Sequence, residues 1–186
     1  MDMIQFYKPN PKVTGTACSF WVSKDGSIMT SMIKQDSWND VKKKGSFLKN
    51  KDNPQKKVVS KLSRIEVAGI IDSIERNAEF KTFHSSQNQV LQIRFASYLD
   101  KETQIQKGFS FSINKQNKED STQRTGFIIG LSYPEARLLK HDLEKFLSSS
   151  PPIQSSLEEP PQSNFTTAPK QIQSKDEGQE ADSDSW

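Results

Sequence analysis

The sequence predicts an α+β protein in which a unit of four antiparallel strands followed by one helix occurs twice, ahead of a disordered tail. Three observations indicate this. Runs of alternating apolar residues precede each of two helical segments, both helical segments start with the same serine–glutamate motif, and the residues after 147 show no apolar period. Because neither helix alternates with single strands, a doubly wound parallel sheet is disfavoured.

The strands predicted in the first half carry apolar residues at every second position, as strands with one buried face do. Cys18 and Phe20 fall on one face of the segment 16–24, whereas Trp21 falls on the other, between two serines. Asp25-Gly26 then predicts a hairpin turn into the next strand. Strands are expected at residues 4–8, 16–24 and 27–35, and around Phe47 or at 58–62.

The second half shows the same alternation, with strands expected at residues 79–84, 89–99, 108–115 and 126–131. The segment 89–99 divides into an apolar face and a mixed face. The apolar face holds Leu91, Ile93, Phe95 and Leu99, and the other holds Gln92, Arg94 and Tyr98. The predicted core residues of the following strand are Phe109, Phe111 and Ile113.

Both helices are predicted from the capping box Ser-x-x-Glu, which occurs at Ser63–Glu66 and again 69 residues later at Ser132–Glu135. In this motif the serine hydroxyl accepts from the amide three residues on, and the glutamate reaches back to the serine amide. The helices are expected at residues 63–76 and 132–147, so the repeated halves are about 4–76 and 79–147. A five-stranded barrel is the rival fold, but it does not explain two capped helices.

Residues 148–186 differ in composition from the body at 1–147. Two lysines and seven acidic residues give this segment a net charge of −5, which leaves +8 on the body. Its isolated apolar residues cannot bury enough surface to offset the entropy of ordering, so it is expected to be disordered. One interpretation is a solubilising tail. The other is a tail that competes with a polyanion and binds partner proteins through Asp182, Asp184 and Trp186.

Composition excludes several classes of protein. No run approaches the roughly 18 apolar residues of a membrane span, and the first residues do not resemble a signal peptide, so a cytoplasmic, non-membrane protein is expected. One cysteine and two histidines cannot form a disulfide or a structural zinc site. Cys18 lies on the Phe20 face and is predicted to be a buried structural thiol. No phosphate-binding glycine loop or nucleophile motif is present, so no enzyme, metal or cofactor is predicted.

Aromatic residues occur beside basic ones at several places, a pattern typical of proteins that bind single-stranded nucleic acid. Residues 41–61 hold eight lysines and one acidic residue, with Trp38 just before them and Phe47 among them. Lysines follow a phosphate backbone and aromatic faces stack on unpaired bases. The alternatives are that the lysines are only solvated surface and that Trp21 and Tyr98 pack against other protein groups. The candidate binding residues are Tyr7, Lys8, Lys12, Trp21, Trp38, Lys42, Lys43, Lys44, Lys49, Arg94 and Tyr98.

The order of four strands and a helix, twice, resembles the Whirly fold, which is itself similar to a doubled positive-cofactor-four coactivator. The segment Val13–Val22 is similar to the Lys-Gly-Lys-Ala-Ala-Leu-Ser segment of the second Whirly strand. Gly15, Ala17 and Ser19 match its small residues, while threonines stand in place of its two lysines. The resemblance implies single-stranded DNA binding and homo-oligomers assembled through the helices. The acidic ending also resembles the tails of bacterial and phage single-stranded DNA-binding proteins.

These observations favour a sequence-nonspecific single-stranded DNA-binding protein of replication or recombination, of phage or bacterial type, whose tail modulates binding and recruits replication or recombination proteins. Double-stranded, sequence-specific binding fits less well, because both helices are acidic or mixed in charge. RNA remains a possible ligand. Two alternatives are a transcription cofactor that binds single-stranded DNA or RNA, and a protein-interaction adaptor that binds no nucleic acid.

Overall fold

The computed structural model describes residues 3–120 and 122–149. They form two four-stranded antiparallel sheets, each followed by one helix, which confirms the predicted fold class. The predicted tail at 148–186 lies almost wholly outside the described residues, so its disorder and its partner-binding residues Asp182, Asp184 and Trp186 stay predictions.

The first sheet has the strand order β1-β2-β3-β6, in which neighbouring strands are antiparallel. Its strands lie where the alternating pattern predicts them, and the fourth is the alternative at 58–62, not the one around Phe47. A two-stranded hairpin, β4 and β5, and a single 3-10 turn at Leu48–Asn50 interrupt this half before the fourth strand. The strands are β1 Met3–Lys8, β2 Thr16–Val22, β3 Ile28–Lys34, β4 Ser37–Asn39, β5 Lys44–Ser46 and β6 Lys57–Leu62.

The second sheet is a plain meander with the order β10-β9-β8-β7. The apolar face of β8 is buried as predicted up to Phe95, but Leu99 is 45% exposed. The pairing of β8 with β9 shifts register between Tyr98 and Leu99, so the end of the strand leaves the core and the prediction for Leu99 is wrong. The strands are β7 Phe80–Ser85, β8 Gln89–Leu99, β9 Gln106–Asn117 and β10 Arg124–Ser132.

The helices are α1 Arg64–Arg76 and α2 Tyr133–Ser149. Helix α1 has the complete capping box, with Ser63 and Glu66 each accepting from the other's backbone amide. At α2 the Glu135 carboxylate accepts from the Ser132 amide, but the Ser132 hydroxyl donates to that same carboxylate at 2.8 Å. The predicted box at α2 is therefore only partly formed, since the serine hydroxyl acts as donor.

The core lies where the inner faces of the two sheets meet each other and the helices. The ring centroids of Phe20 in β2 and Phe111 in β9 are 5.2 Å apart, so the sheets are in direct contact. Val67 and Ile70 of α1 are fully buried, and α2 buries four apolar residues: Ala136, Leu139, Leu143 and Phe146. Phe109, Phe111 and Ile113 are core residues, as predicted.

Neither described helix is both long and apolar enough to span a lipid bilayer.

Candidate nucleic-acid interface

The outer face of the first sheet carries a row of partly exposed apolar residues at one end. Met3, Trp21 and Met29 are direct neighbours across β1, β2 and β3, and Lys61 of β6 completes the row. Met3 is exposed, while Trp21 and Met29 are half-buried. The Trp21 indole thus has apolar neighbours on either side and a basic residue at the sheet edge, which suits stacking on an unpaired base.

Tyr7 lies at the other end of the same outer face. It pairs with Ala17, four residues along β2 from Trp21, so the two aromatic positions are about 13 Å apart along the strands. Its hydroxyl donates to Gln5, and the ring is 57% exposed. The structure therefore brings Tyr7 and Trp21, two of the predicted binding residues, onto one surface.

Close packing explains the small residues at the start of β2, beginning with Gly15 just before it. A Cβ at this position would lie 2.4 Å from the Lys8 carbonyl oxygen and 2.5 Å from Gln35 Oε1, closer than real contacts allow. Thr16 and Ala17, which follow, are buried. Gly15 and Ala17, two of the small residues shared with the Whirly segment, therefore serve close packing here. The side chain of Thr16, which stands where that segment has a lysine, is buried and not available to a ligand.

The lysine-rich segment forms a folded projection, here called the lysine hairpin, that covers residues 36–56 and includes β4 and β5. Lys42, Lys43 and Lys44 lie at its tip, and Lys49 lies in the 3-10 turn. All four are exposed, and the contact between Lys43 and Asp40 at 3.9 Å is a weak one between exposed side chains. Trp38 is half-buried and donates to Asp40 at 3.2 Å.

A buried glutamine anchors the lysine hairpin to the first sheet. Gln35 is 4% exposed. Its Oε1 accepts from the amides of Asn10 and Gly15, and its Nε2 donates to the carbonyls of Asn10 and Ser37. One side chain therefore joins the turn after β1, the start of β2 and the start of the lysine hairpin.

Asp36 closes the base of the lysine hairpin from within. Its carboxylate accepts from the hydroxyls of Ser37 and Ser46 and from the amide of Lys49. The Ser37 hydrogen bond, supported by those of Lys49 and Ser46, holds the pKa of this carboxyl below its usual value. The charge on Asp36 thus stabilises the turn that presents Lys49.

An aromatic contact joins the lysine hairpin to the outer face of the first sheet. The rings of Tyr7 and Phe47 meet edge to face with centroids 6.0 Å apart. Phe47 was not among the predicted binding residues, although its position among lysines was noted in the sequence. This contact places the lysine hairpin next to Tyr7, at one end of the outer face of the first sheet.

Arg94 and Tyr98 lie on a different surface, the outer face of the second sheet. Tyr98 is 46% exposed. Arg94 forms an ion pair with Glu79, which also binds Lys81 at 3.0 Å. The Arg94 hydrogen bond, with that of Lys81, keeps the pKa of Glu79 below its usual value. Two cations share one carboxylate here, so the local excess of positive charge is small.

Lys8 and Lys12 are the remaining predicted positions. Lys8 is bound to Glu135 at the start of α2, so its charge is partly neutralised by the protein itself. Lys12 is exposed in the turn between β1 and β2. The predicted residues thus divide into a group on the first sheet with its lysine hairpin and a smaller group on the second sheet.

The outer face of the second sheet also has exposed residues that the sequence analysis did not select. Phe83 in β7 is 65% exposed, and Ile128 in β10 is 60% exposed. Alternation along β7 was the available signal for Phe83, because it shares parity with Lys81 and Ser85. Its binding role could not be predicted, because only the pairing of β7, β8 and β9 shows that Phe83 lies next to Gln92 and, one strand further, Asn114.

A hydrogen-bonded relay of Ser60, His84 and Glu66 joins the two sheets to α1. The Ser60 hydroxyl lies 2.8 Å from His84 Nδ1, and His84 Nε2 lies 2.6 Å from Glu66 Oε1. Thr82 also donates to Glu66. Residue types and distances resemble those of a hydrolase triad. However, Ser60 is only 5% exposed, so its hydroxyl is closed to a substrate, and the relay serves as a structural link.

Cys18 is buried, as predicted for a structural thiol. Burial raises the pKa of the Cys18 thiol to about 12, despite the opposing contact with Thr30. Since the thiolate is the reactive form, this side chain is unsuited to nucleophilic chemistry.

The sequence matches no protein-family model and no curated protein sequence. Its structure is similar to the crystal structure of WHY1 from Arabidopsis thaliana, with a TM-score of 0.54 and 16% sequence identity. The match covers 78% of this chain and 82% of WHY1. WHY1 is a Whirly protein, so the predicted resemblance is confirmed at the level of the fold: two antiparallel four-stranded sheets, each followed by a helix, in the Whirly arrangement.

Proposed function

We propose that this protein binds single-stranded DNA without strong sequence preference and acts in replication or recombination. The observation that carries the proposal is the outer face of the first sheet, which presents Trp21 at one end and Tyr7 at the other, with the lysine hairpin next to Tyr7. Aromatic faces stack on successive bases, and flexible lysines neutralise the phosphates that link them. The Whirly fold adds support, because the resemblance implies single-stranded DNA binding.

The proposal assigns no catalytic role to the chain. Its one hydrolase-like arrangement among the described residues has a buried serine, and within residues 3–120 and 122–149 no group of three or more acidic, histidine or cysteine side chains is placed to hold a metal ion. A protein that only binds its ligand needs neither an accessible catalytic serine nor a bound metal ion. The proposed partners are single-stranded DNA, further copies of this chain through the helices, and replication or recombination proteins through Asp182, Asp184 and Trp186.

The direct test is fluorescence anisotropy of labelled oligo-dT, a duplex of equal length and oligo-U, titrated with the full chain at several salt concentrations. Single-stranded DNA should bind most tightly, and the logarithm of the affinity should fall with the logarithm of salt by about 0.7 per phosphate neutralised. Replacing Lys42, Lys43 and Lys44 by glutamine should reduce that slope by about 2 units, because up to three phosphate contacts are lost.

The control replaces Lys24, an exposed lysine in the turn between β2 and β3, by glutamine, which should leave the slope unchanged. No binding to any single strand at low salt would refute the proposal and favour an adaptor that binds protein. Tighter binding to oligo-U would assign the surface to RNA. Asp182→Asn with Asp184→Asn should tighten DNA binding if the tail competes for the same surface.

A further inference from the structure

A hollow on the outer face of the second sheet lies apart from the surface on which the proposed function rests. Its volume is about 370 Å³, and its lining includes Phe83, Gln92, Asn114, Gln116 and Arg124. The position of the hollow follows from register. Phe83 of β7, Gln92 of β8, Asn114 of β9 and Gly126 of β10 form one row across all four strands.

Phe83 provides an aromatic face at one end of this row. Its side chain is 65% exposed, whereas seven other phenylalanines of this protein are buried in the core. Residues directly opposite each other in adjacent strands have Cβ atoms about 5 Å apart, so the ring and the Gln92 amide are neighbours. An exposed phenylalanine beside polar groups on a sheet suits stacking on a planar ligand.

Amides form the rest of the hollow. Within the part of the chain that the structure describes, the side chains of Gln92, Asn114 and Gln116 make no hydrogen bond to another protein group. Gly126 leaves room for the Asn114 amide, because a Cβ there would lie 3.0 Å from Asn114 Oδ1. The hollow thus offers several donors and acceptors close to one aromatic ring.

Positive charge lies at the rim. Arg124 of β10 shares the outer-face parity of Gly126 and lines the hollow, whereas Lys115 has the parity of the buried Ile113 and donates to the Pro54 carbonyl at the base of the lysine hairpin. No acidic side chain is among the lining residues of this hollow. An anionic, planar ligand with hydrogen-bonding edges fits this combination, and an unpaired nucleotide has all three properties.

We propose that this hollow is a nucleobase subsite, in which Phe83 stacks on one unpaired base and Gln92 and Asn114 bind its edge. The subsite rests on the proposed function and deepens it, by adding one position with a base preference on the second sheet of a protein that otherwise binds without sequence preference. Adenine is the preferred base, because a carboxamide pairs in bidentate fashion with its N6 and N7.

The test measures the affinity of the full chain for labelled (dA)n, (dT)n and (dC)n of equal length. Phe83→Ala should weaken binding of all three by about 10-fold, the effect of losing one stacked base, and Phe83→Tyr should restore it. Gln92→Ala with Asn114→Ala should weaken binding of (dA)n selectively, by about 5-fold or more. The affinities for the three oligonucleotides should then differ less than in the wild type. Ile105→Ala, an exposed apolar residue in the turn between β8 and β9, is the matched control and should leave all three affinities unchanged.

The outcomes separate the two proposals. If the wild-type chain binds single strands but Phe83→Ala matches it and the base order is unchanged in the amide variant, the subsite is refuted while the proposed function stands. If the wild-type chain binds no single strand at low salt, the proposed function fails and the subsite fails with it. A Phe83 effect without an amide effect refutes base-edge binding.

Discussion

The exposed aromatic residues are the single side chains on which binding depends most. Trp21 lies between Met3 and Met29 in one cross-strand row, and its indole is half-buried, so part of the ring remains open to a ligand. Phe20, its neighbour in sequence, is fully buried against Phe111. Alternation along one strand thus separates a residue that holds the fold together from one that is free to bind.

Trp21→Ala should weaken binding of oligo-dT by about 10-fold, because base–aromatic stacking contributes roughly 1–3 kcal/mol per base. Trp21→Phe should retain most of the affinity, since an aromatic face remains. Anisotropy titrations measure both, and quenching of tryptophan fluorescence by oligo-dT should fall in either variant. Unchanged affinity and quenching in Trp21→Ala would place the nucleic acid elsewhere.

Sequence reasoning succeeded at this scale wherever strand parity alone decides exposure. It placed Cys18 and Phe111 in the core and Trp21 on the opposite face. It failed at Leu99, because a register shift cannot be read from alternation, and at Phe83, because its neighbours come from β8 and β9. The hollow next to Phe83 exists only through pairing between strands, and that information is not local in sequence.

Among the elements, the lysine hairpin departs most from expectation. The sequence analysis offered a strand around Phe47 as one alternative, and the structure instead has the short hairpin of β4 and β5 followed by a 3-10 turn at Leu48–Asn50. Its stability depends on Gln35, which lies just before it, and on Asp36, its first residue. A rigid base reduces the conformational entropy that the lysines lose when they bind phosphates.

Gln35→Ala should destabilise the fold by about 1–3 kcal/mol, because buried amides and carbonyls of the two turns lose their partner. It should also weaken oligo-dT binding under conditions where the protein stays folded, although Gln35 itself is buried and cannot touch DNA. Urea unfolding measures the first effect and anisotropy the second. Gln55→Ala, exposed in the same hairpin, is the control and should change neither. A loss of stability with unchanged affinity would show that the anchor does not position the lysines.

Glu66 makes the attachment of α1 depend on pH. Burial raises the pKa of this carboxyl, but hydrogen bonds from Ser63, Thr82 and His84 outweigh burial and bring the pKa below its usual value. The unfolded chain therefore takes up the proton first, and stability falls as the pH drops below about 4.5 and through the lower pKa of the folded state.

Glu66→Gln should lower the free energy of unfolding at pH 7 by about 1–2 kcal/mol, through weaker hydrogen bonds to Thr82 and His84. The gap from wild type should narrow as the pH falls through the lowered pKa of Glu66 in the folded state, because the wild-type carboxyl then takes up a proton as well. Urea midpoints at pH 7, 4 and 3 measure this. Glu119→Gln, in an exposed turn, is the control and should change the free energy of unfolding little at pH 7. A Glu66→Gln gap that does not change with pH would refute the assignment of this titration to Glu66.

At the scale of the whole molecule, the positive charge is concentrated beside the sheet face that carries Tyr7 and Trp21. The body carries a net charge of +8, and its lysines concentrate in the hairpin that extends the outer face of the first sheet. Composition alone predicted the charge division, and the capping boxes with strand alternation predicted the doubled sheet-and-helix architecture. Composition could not predict that Lys8 and Arg94 are partly neutralised by Glu135 and Glu79, since those partners are distant in sequence.

Both helices carry apolar side chains that are exposed among the described residues. Ile65 of α1 is 76% exposed and Leu138 of α2 is 58% exposed, while the opposite faces of both helices are packed into the core. Exposed apolar residues on both helices are consistent with the proposed assembly of several copies through the helices, because association would remove these side chains from water.

Ile65→Glu with Leu138→Glu should therefore convert a multimer of the full chain into a smaller species without unfolding it, since neither side chain contributes to the core. Light scattering after size exclusion measures the mass, and circular dichroism checks the fold. Val41→Glu, 94% exposed in the lysine hairpin, should leave the mass unchanged. If binding depends on several linked copies, the double variant should lose more affinity for long oligo-dT than for short oligo-dT. Linked sites raise the effective concentration only where one strand reaches several copies. A wild-type chain that is already monomeric at the concentrations that saturate DNA would refute helix-mediated assembly as part of its function.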